Sequence, residues 1–322
     1  MTHDFERFVP GLCDQLRARV GTLPLPDDRR HPDADKALPT FRTTLPSRAE
    51  LAGRTYELSR DAAEAANVAL ELGQPLLVTG EPGCGKTDLA YGLALQLGRP
   101  HVWRYDTTSV ATADDVFYRF DHLARFHDAG VHREGRPEDY IELQAFGAAV
   151  ASEQTEVVLL DEIDKAPRDF PNDLLARIEE PMYFRVREMP GTPWGHQRAR
   201  HLVVITSNAE RELPDPFLRR CVYVHLEFPS EPEALVKIVS RHLGARADNA
   251  LVAAAVQRFL AVRGQVEKSR ADARRPSTSE VIQWAKALHA ARKRPADVES
   301  LPLSSALLKS TAERDAVRPR KP

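Results

Sequence analysis

The residues best suited to chemistry lie in the segment Gly80-Glu81-Pro82-Gly83-Cys84-Gly85-Lys86-Thr87. This segment fits the phosphate-binding pattern G-x-x-x-x-G-K-[ST], and it lies between an apolar strand-like run and a helical pattern. Glycines let the backbone curl so that successive N–H groups point at phosphate oxygens, and the following helix adds its positive end. Lys86 is then expected to reach the β- and γ-phosphates, and Thr87 to give a hydroxyl to Mg²⁺. A chance Gly-rich turn is the alternative, which the flanking elements disfavour.

Two carboxylates, Asp161 and Glu162, directly follow the apolar run Val157–Leu160. Asp161 is expected to hold Mg²⁺ through water. Glu162 is expected to polarise an attacking water, because phosphoryl transfer depends mostly on positioning the nucleophile and neutralising charge. The alternative is an acidic strand end that faces solvent. Asp164 and Lys165 come next and are interpreted as a local ion pair or a subunit contact.

An amide and two arginines complete the set of candidate residues. Asn208 ends the run LVVITSN, where its amide could hold the attacking water or sense the γ-phosphate, although Asn also favours turns after strands. Arg219 and Arg220 precede the next apolar run, and an arginine there could reach the γ-phosphate bound by a neighbouring copy. For one of the two, a solvated helix end is the alternative.

Five short apolar runs alternate with helical patterns and are predicted to be buried strands: 75–80, 101–106, 156–161, 201–208 and 221–228. This alternation predicts an α/β fold with a parallel five-stranded sheet covered by helices, whose ligands gather at the carboxyl ends of the strands. Helices alone follow Pro229. We predict an N-terminal helix (residues 3–20) and Pro-rich arm over 1–48, a large α/β nucleotide-binding domain over 49–228, a helical lid over 229–295 and a tail over 296–322.

Composition limits the other classes of function. The three cysteines lie far apart, which suggests neither zinc nor a disulfide framework, and no run is apolar enough for a membrane span, so a cytoplasmic protein is predicted. From Pro229 onward there are 18 Lys and Arg against 10 Asp and Glu, so this segment carries +8 and, with the chain at −2, the remainder carries −10. A nucleic-acid surface would suit this split, but we favour packing of the basic part on a neighbouring copy.

Taken together, these motifs resemble the AAA+ ATPases, and more narrowly their MoxR and dynein-related branch, over residues 56–288. The phrases LLVTGEPGCGKT, VVLLDEIDKAPRDFPNDLLARIEE, VVITSN and ELPDPFLRRC carry the resemblance. It implies ATP and Mg²⁺ as cofactors, the Walker B pair Asp161 and Glu162, sensor 1 at Asn208, and an arginine finger at Arg220 with Arg219 as second candidate. The implied ATP-binding residues form the Walker A loop and its neighbours: Gly80, Glu81, Pro82, Gly83, Cys84, Gly85, Lys86, Thr87 and Asp88.

The resemblance also implies a homo-oligomeric ring, taken as a hexamer, that hydrolyses ATP between subunits and remodels a protein client, often with a von Willebrand factor A domain partner. A nucleotide-gated scaffold subunit of a DNA-associated defence or restriction complex is the alternative, and nucleic-acid translocation is disfavoured. Two departures stand out. Thr278 lies where the branch usually carries its sensor 2 arginine, for which Arg274 and Arg275 are the candidate substitutes, and DEID replaces the common DEIN.

Two further segments are expected to carry surface features. Residues 107–150 are long for a crossover and are predicted to hold an inserted element whose aromatic residues form local core. Residues 181–200 are predicted to form a hairpin with Trp194 near its tip, either touching a partner or packing on its own strands.

Overall fold

A computed structural model describes residues 11–12, 42–43, 47–48, 56–99, 101–133, 135–192, 195–269 and 274–317 of the chain. Its strands are β1 (Gly11–Leu12), β2 (Arg42–Thr43), β3 (Ser47–Arg48), β4 (Glu57–Leu58), β5 (Leu76–Gly80), β6 (His101–Asp106), β7 (Tyr118–Phe120), β8 (Ile141–Leu143), β9 (Val157–Asp161), β10 (Tyr183–Phe184), β11 (Gly195–His196), β12 (Leu202–Ser207) and β13 (Val222–Leu226). Its helices are α1 (Arg60–Leu72), α2 (Lys86–Gln96), α3 (His122–Gly130), α4 (Ala145–Ala151), α5 (Phe170–Ile178), α6 (Asp215–Leu218), α7 (Pro232–Leu243), α8 (Asn249–Ser269), α9 (Thr278–Ala290) and α10 (Thr311–Val317).

The main sheet has the strand order β13-β5-β12-β9-β6-β3. β12 pairs in parallel with both β5 and β9, and β9 pairs in parallel with β6. β9 and β12 are buried along their whole length, as expected for apolar runs covered on both faces. The predicted five-stranded parallel sheet is therefore confirmed, and the short strand β3 adds an antiparallel edge beside β6.

The helix before the main sheet follows the short strand β4. Glu57 and Leu58 are extended and pair with Gly11 and Leu12. Gly11 and Leu12 are therefore strand residues and not part of the helix expected over 3–20. The helix begins at Arg60, where the Ser59 hydroxyl accepts a hydrogen bond from the Ala62 N–H at 3.2 Å. It ends at Gly73 in the left-handed conformation, as its sequence predicts.

The segment 107–150 contributes β7 and β8 to a small sheet in the order β2-β8-β7, and it contains the exposed helix α3. Of its six Phe and Tyr residues, four are buried, Phe120 packs against the core, and Phe126 is 80% exposed; the buried ones are Phe117, Tyr118, Tyr140 and Phe146. The interpretation of the segment's aromatics as local core is therefore confirmed for all of them except Phe126. The 181–200 hairpin also forms, through β10 and β11, and Trp194 near its tip lies outside the described residues.

The described residues divide into two compact units. The first unit comprises those within Met1–Thr79 and Lys86–His225, and the second those within Gly80–Gly85 and Leu226–Pro322. The second unit is helical, with a core that includes Leu235, Phe259 and Trp284. Helix α9 begins with a capping box in which the Glu280 carboxylate accepts a hydrogen bond from the N–H of Ser277, the N-cap residue.

Most of the predicted arm over 1–48 lies outside the described residues, and the predicted four-part division of the chain stays a prediction. Within the described part of the chain, no helix is long and apolar enough to cross a membrane.

Candidate nucleotide site

The backbone of the loop Gly80–Gly85 has positive φ at all three of its glycines. Gly80 has φ 151° and Gly83 has φ 77°, values that side chains disfavour. A Cβ on Gly83 would lie 2.3 Å from the Ser277 Oγ, and one on Gly80 would lie 2.5 Å from the Leu226 carbonyl oxygen. The glycines of the phosphate-binding pattern are therefore needed for close packing as well as for the turn.

Glu81 in this loop is held by arginines of the second unit. The Arg263 guanidinium donates to the Glu81 carboxylate at 2.5 Å, donates to the Pro276 carbonyl at 2.7 Å, and lies 3.7 Å from the centre of the Phe228 ring. Arg275 lies 3.5 Å from the same carboxylate. Sequence reasoning missed Arg263, because nothing in a helical run marks which of its arginines turns toward a distant loop.

The two candidates for the missing sensor 2 arginine are both paired with carboxylates. Arg275 pairs with Glu267 at 3.1 Å in addition to Glu81, and Arg274 pairs with Glu280 at 2.5 Å. Thr278, at the family's sensor 2 position, is buried. Of the two, only Arg275 contacts the loop.

In the first unit, Lys86 and Thr87 begin helix α2, directly after the loop in the chain. The Thr87 hydroxyl lies 3.1 Å and 3.2 Å from the two carboxylate oxygens of Asp161. This contact joins the two strongest sequence motifs. It arises because the parallel pairing of β5, β12 and β9 brings their carboxyl ends to one edge of the sheet.

Asp161 is buried and held on both of its oxygens. Oδ1 accepts a hydrogen bond from the Thr206 hydroxyl at 2.6 Å, and Oδ2 lies 2.9 Å from a guanidinium nitrogen of Arg104. Sequence reasoning missed both partners. A charged side chain inside the apolar run HVWRYD was the available signal for Arg104, since a buried arginine needs a carboxylate partner.

Glu162 follows Asp161 with a left-handed backbone, φ 57°. Its N–H donates to the Thr206 hydroxyl at 2.8 Å, and its carboxylate pairs with Lys165 and lies 3.4 Å from the Asn208 amide nitrogen. The hydrogen bond from Lys165 is the largest of the effects that lower the pKa of Glu162, so this carboxyl is ionised at neutral pH. Two residues expected to act together, Glu162 and Asn208, are thus neighbours.

The expected local ion pair of Asp164 and Lys165 is wrong in its partners. Lys165 pairs with Glu162. Asp164 is buried and accepts hydrogen bonds from the backbone N–H groups of Asn208 and Glu210, both at 3.1 Å. Both bonds end on Oδ2, so Asp164 fixes the turn that presents Asn208, whereas its buried Oδ1 has no hydrogen-bond partner among the described residues.

The two candidate arginine fingers are exposed. They follow the short helix α6, and Arg220 pairs with Glu179 at 2.6 Å between side chains that are each about half exposed. Neither arginine is among the partners of Asp161 and Glu162 described above. Exposed arginines of this kind remain accessible to another molecule.

A parallel sheet with a glycine loop after one strand and a carboxylate pair after another defines a P-loop nucleotide-binding protein. Residues 75–221 match the family model of the AAA domain, dynein-related subfamily. Over this stretch the chain resembles the AAA+ ATPases of the MoxR and dynein-related branch.

One curated relative is the gas vesicle ATPase GvpN1 of Halobacterium salinarum, which is 26% identical over 194 residues. The match covers 56% of this chain and 54% of the relative, so the chain spans about half the length of that protein. Among solved structures, two RuvB variants of Thermotoga maritima share 17% identity with the chain. The two matches cover 75% of this chain and 70% and 71% of the respective RuvB chains, with TM-scores of 0.39 and 0.41.

Proposed function

We propose that the chain binds ATP with Mg²⁺, hydrolyses it at the interfaces of a ring of identical subunits, and uses the cycle to remodel a protein partner. The contact between the Thr87 hydroxyl and the Asp161 carboxylate, with Glu162 next in the chain, carries the proposal. In this proposal the residues from Gly80 to Asp88 surround the phosphates, and Lys86 neutralises their charge.

The residues around Asp161 suit Mg²⁺ by their chemistry. Mg²⁺ prefers oxygen ligands and commonly keeps several waters, so one hydroxyl and one carboxylate beside the phosphates are a sufficient donor set. Thr87 would bind the ion directly, and Asp161 would hold it through water, because both Asp161 oxygens already have partners within the chain. When bound, the ion would neutralise charge on the β- and γ-phosphates.

Glu162 is the proposed group that polarises the attacking water, and Asn208 the proposed group that positions it. Support comes from the ionised state of Glu162 and from the nearby Asn208 amide. Lys165 pairs with one oxygen of the Glu162 carboxylate. The lysine's positive charge keeps Glu162 deprotonated, and its ammonium group does not occupy both carboxylate oxygens.

The ring is proposed because Arg219 and Arg220 are exposed, as the residues of an arginine finger that acts on a neighbour must be. The charge difference between the basic C-terminal part and the acidic remainder supports contacts between copies. A protein client, with a von Willebrand factor A domain partner as one candidate, and a cytoplasmic location complete the proposal.

The test is ATP turnover per subunit measured against enzyme concentration, for the wild type, Glu162→Gln, Arg220→Ala, and an equal mixture of the two variants. We expect turnover per subunit to rise with concentration and each variant alone to be inactive. The mixture should regain activity, because some interfaces then combine the intact Glu162 of one subunit with the intact Arg220 of another.

Two outcomes would contradict parts of this proposal. Turnover per subunit that is independent of concentration, with no activity regained in the mixture, would exclude a shared site. A wild type that binds ATP but shows no turnover at any concentration would exclude an autonomous motor and favour the nucleotide-gated scaffold.

A further inference from the structure

Arg104 is a charged residue in the middle of a sheet. β6 pairs with β9 so that Arg104 lies opposite Leu159, and Asp106 lies opposite Asp161. Side chains two residues apart on a strand point to the same face. The register therefore puts Arg104, Asp106 and Asp161 on one face at the carboxyl end of the sheet.

The contacts of Arg104 are consistent with this placement. One guanidinium nitrogen lies 2.9 Å from Asp161 Oδ2 and 2.7 Å from Asp106 Oδ1, and Nε donates to the same Asp106 oxygen at 2.7 Å. Asp161 is buried, whereas the Asp106 side chain is 71% exposed. The arginine thus bridges one buried and one solvated carboxylate.

The charge on Arg104 is permanent. Burial lowers its pKa, but a hydrogen bond with Tyr91, a hydrogen bond with Asp106 and the charges of both aspartates together raise the pKa above its ordinary value. Since the group carries a positive charge at every pH that the protein experiences, it compensates the buried charge of Asp161 in the absence of any metal.

We propose that Arg104 is a positioning residue of the magnesium site: it holds the Asp161 carboxylate in the metal-free chain, and its charge limits how strongly Mg²⁺ tightens ATP binding. The inference rests on the proposed function, because it assigns a role to Arg104 at the same site. It differs from a purely structural role, which would leave the response to Mg²⁺ unchanged.

The sign follows from charge. The three side chains Arg104, Asp106 and Asp161 together carry −1, so a divalent cation beside them leaves +1. Without the arginine they carry −2, which the same cation neutralises. Charges a few ångströms apart near a protein surface interact strongly enough to change an affinity tenfold or more. Removing the arginine charge should therefore favour Mg²⁺, and removing the Asp106 charge should disfavour it.

The experiment measures the dissociation constant of a fluorescent ATP analogue with EDTA and with saturating Mg²⁺. The ratio of the two constants gives the tightening caused by Mg²⁺. The variants are Arg104→Gln, Arg104→Lys and Asp106→Asn. Arg198→Gln is the matched control, because Arg198 also pairs with a carboxylate, Glu153, and its side chain is 27% exposed against 33% for Arg104.

We expect the ratio to increase about tenfold in Arg104→Gln, to stay within about threefold of the wild type in Arg104→Lys, and to decrease about tenfold in Asp106→Asn. Arg198→Gln should match the wild type. An unchanged or smaller ratio in Arg104→Gln would overturn the inference. If Arg104→Gln does not fold, Asp106→Asn provides the test, because the exposed Asp106 side chain can be replaced without loss of packing. An unchanged or larger ratio in Asp106→Asn would then overturn the inference.

Failure of the proposed function gives a different result. A wild-type chain that binds the analogue in neither condition would contradict ATP binding itself. A wild type that binds, with a ratio that is the same in all variants, would contradict only the role of Arg104.

Discussion

Polar side chains lie at both ends of β9 and β12, and the two ends differ in where their hydrogen bonds go. At the amino end, His201 Nδ1 accepts from the Glu156 N–H at 3.2 Å, and Arg200 donates to both Glu180 oxygens at 2.9 Å and 3.0 Å. Arg200 also donates to the Glu71 carbonyl at 2.8 Å. Apart from His201 Nε2, which has no hydrogen-bond partner among the described residues, these buried groups are satisfied by backbone and by one another, so their role is to hold the fold.

At the carboxyl end, the hydroxyls of Thr87 and Thr206 both bond the Asp161 carboxylate. Next to them the Glu162 side chain is 40% exposed. Burial of polar groups is common to both ends. The carboxyl end combines buried, oriented partners with the ionised carboxylate of Glu162, which solvent can reach. We therefore expect substitutions at the carboxyl end to change turnover first, and those at the amino end to change stability alone.

The largest effect is expected for Glu162→Gln, which removes the carboxylate that we propose polarises the attacking water. ATP turnover should fall about 10³-fold while ATP binding persists, because positioned acid–base groups contribute about 10²- to 10⁴-fold. Glu153→Gln, at an exposed carboxylate that pairs with Arg198, is the control and should turn over like the wild type. Equal losses in both variants would contradict the assigned difference between the two ends.

At the amino end, Arg200→Met should lower the free energy of unfolding by about 3 kcal/mol or more, because it removes the guanidinium that a buried carboxylate needs. Turnover per folded molecule should not change. Urea denaturation, together with turnover corrected for the folded fraction, measures both. A specific loss of turnover in a stable variant would show that this end also takes part in catalysis.

Thr206→Val probes the carboxyl end without removing a charge. The Thr206 hydroxyl serves both the Asp161 carboxylate and the Glu162 N–H, so its loss should cost about 2–3 kcal/mol of unfolding free energy. Turnover should also fall, by about tenfold, as Glu162 loses its orientation. Thr206→Ser keeps the hydroxyl and should restore most of both quantities; a serine variant as poor as the valine variant would argue against the hydrogen bonds as the cause.

The smallest effect concerns pH. Burial, together with the nearby charge of Arg99, lowers the pKa of His201 from 6.5 to about 3. Between pH 6.5 and 3 the unfolded chain therefore binds a proton that the folded chain does not, and stability falls as the pH falls. From pH 7 to pH 5 the wild type should lose about 2 kcal/mol more unfolding free energy than His201→Asn, whose amide oxygen can still accept from Glu156. Parallel losses in urea denaturation would contradict this.

Much of the architecture could be predicted from the sequence because its signals are local. The apolar runs mark β5, β6, β9, β12 and β13, and each chemical motif follows one of them. Wrong or incomplete expectations arose where a side chain's partner is remote. Asp164 bonds backbone groups 44 and 46 residues away, and a sequence pattern gives no measure of that distance in space.

The sequence by itself determined the class of protein, since the phosphate-binding pattern and the carboxylate pair each need only a strand end and a few residues of fixed spacing. The tertiary structure alone decided which partners hold those groups. The register of β6 on β9 brings Arg104 to Asp161, and the pairing of β9 with β12 brings Thr206 to both Asp161 and Glu162. Register depends on the packing of the whole sheet, because each strand's position is set by its neighbours and not by its own residues.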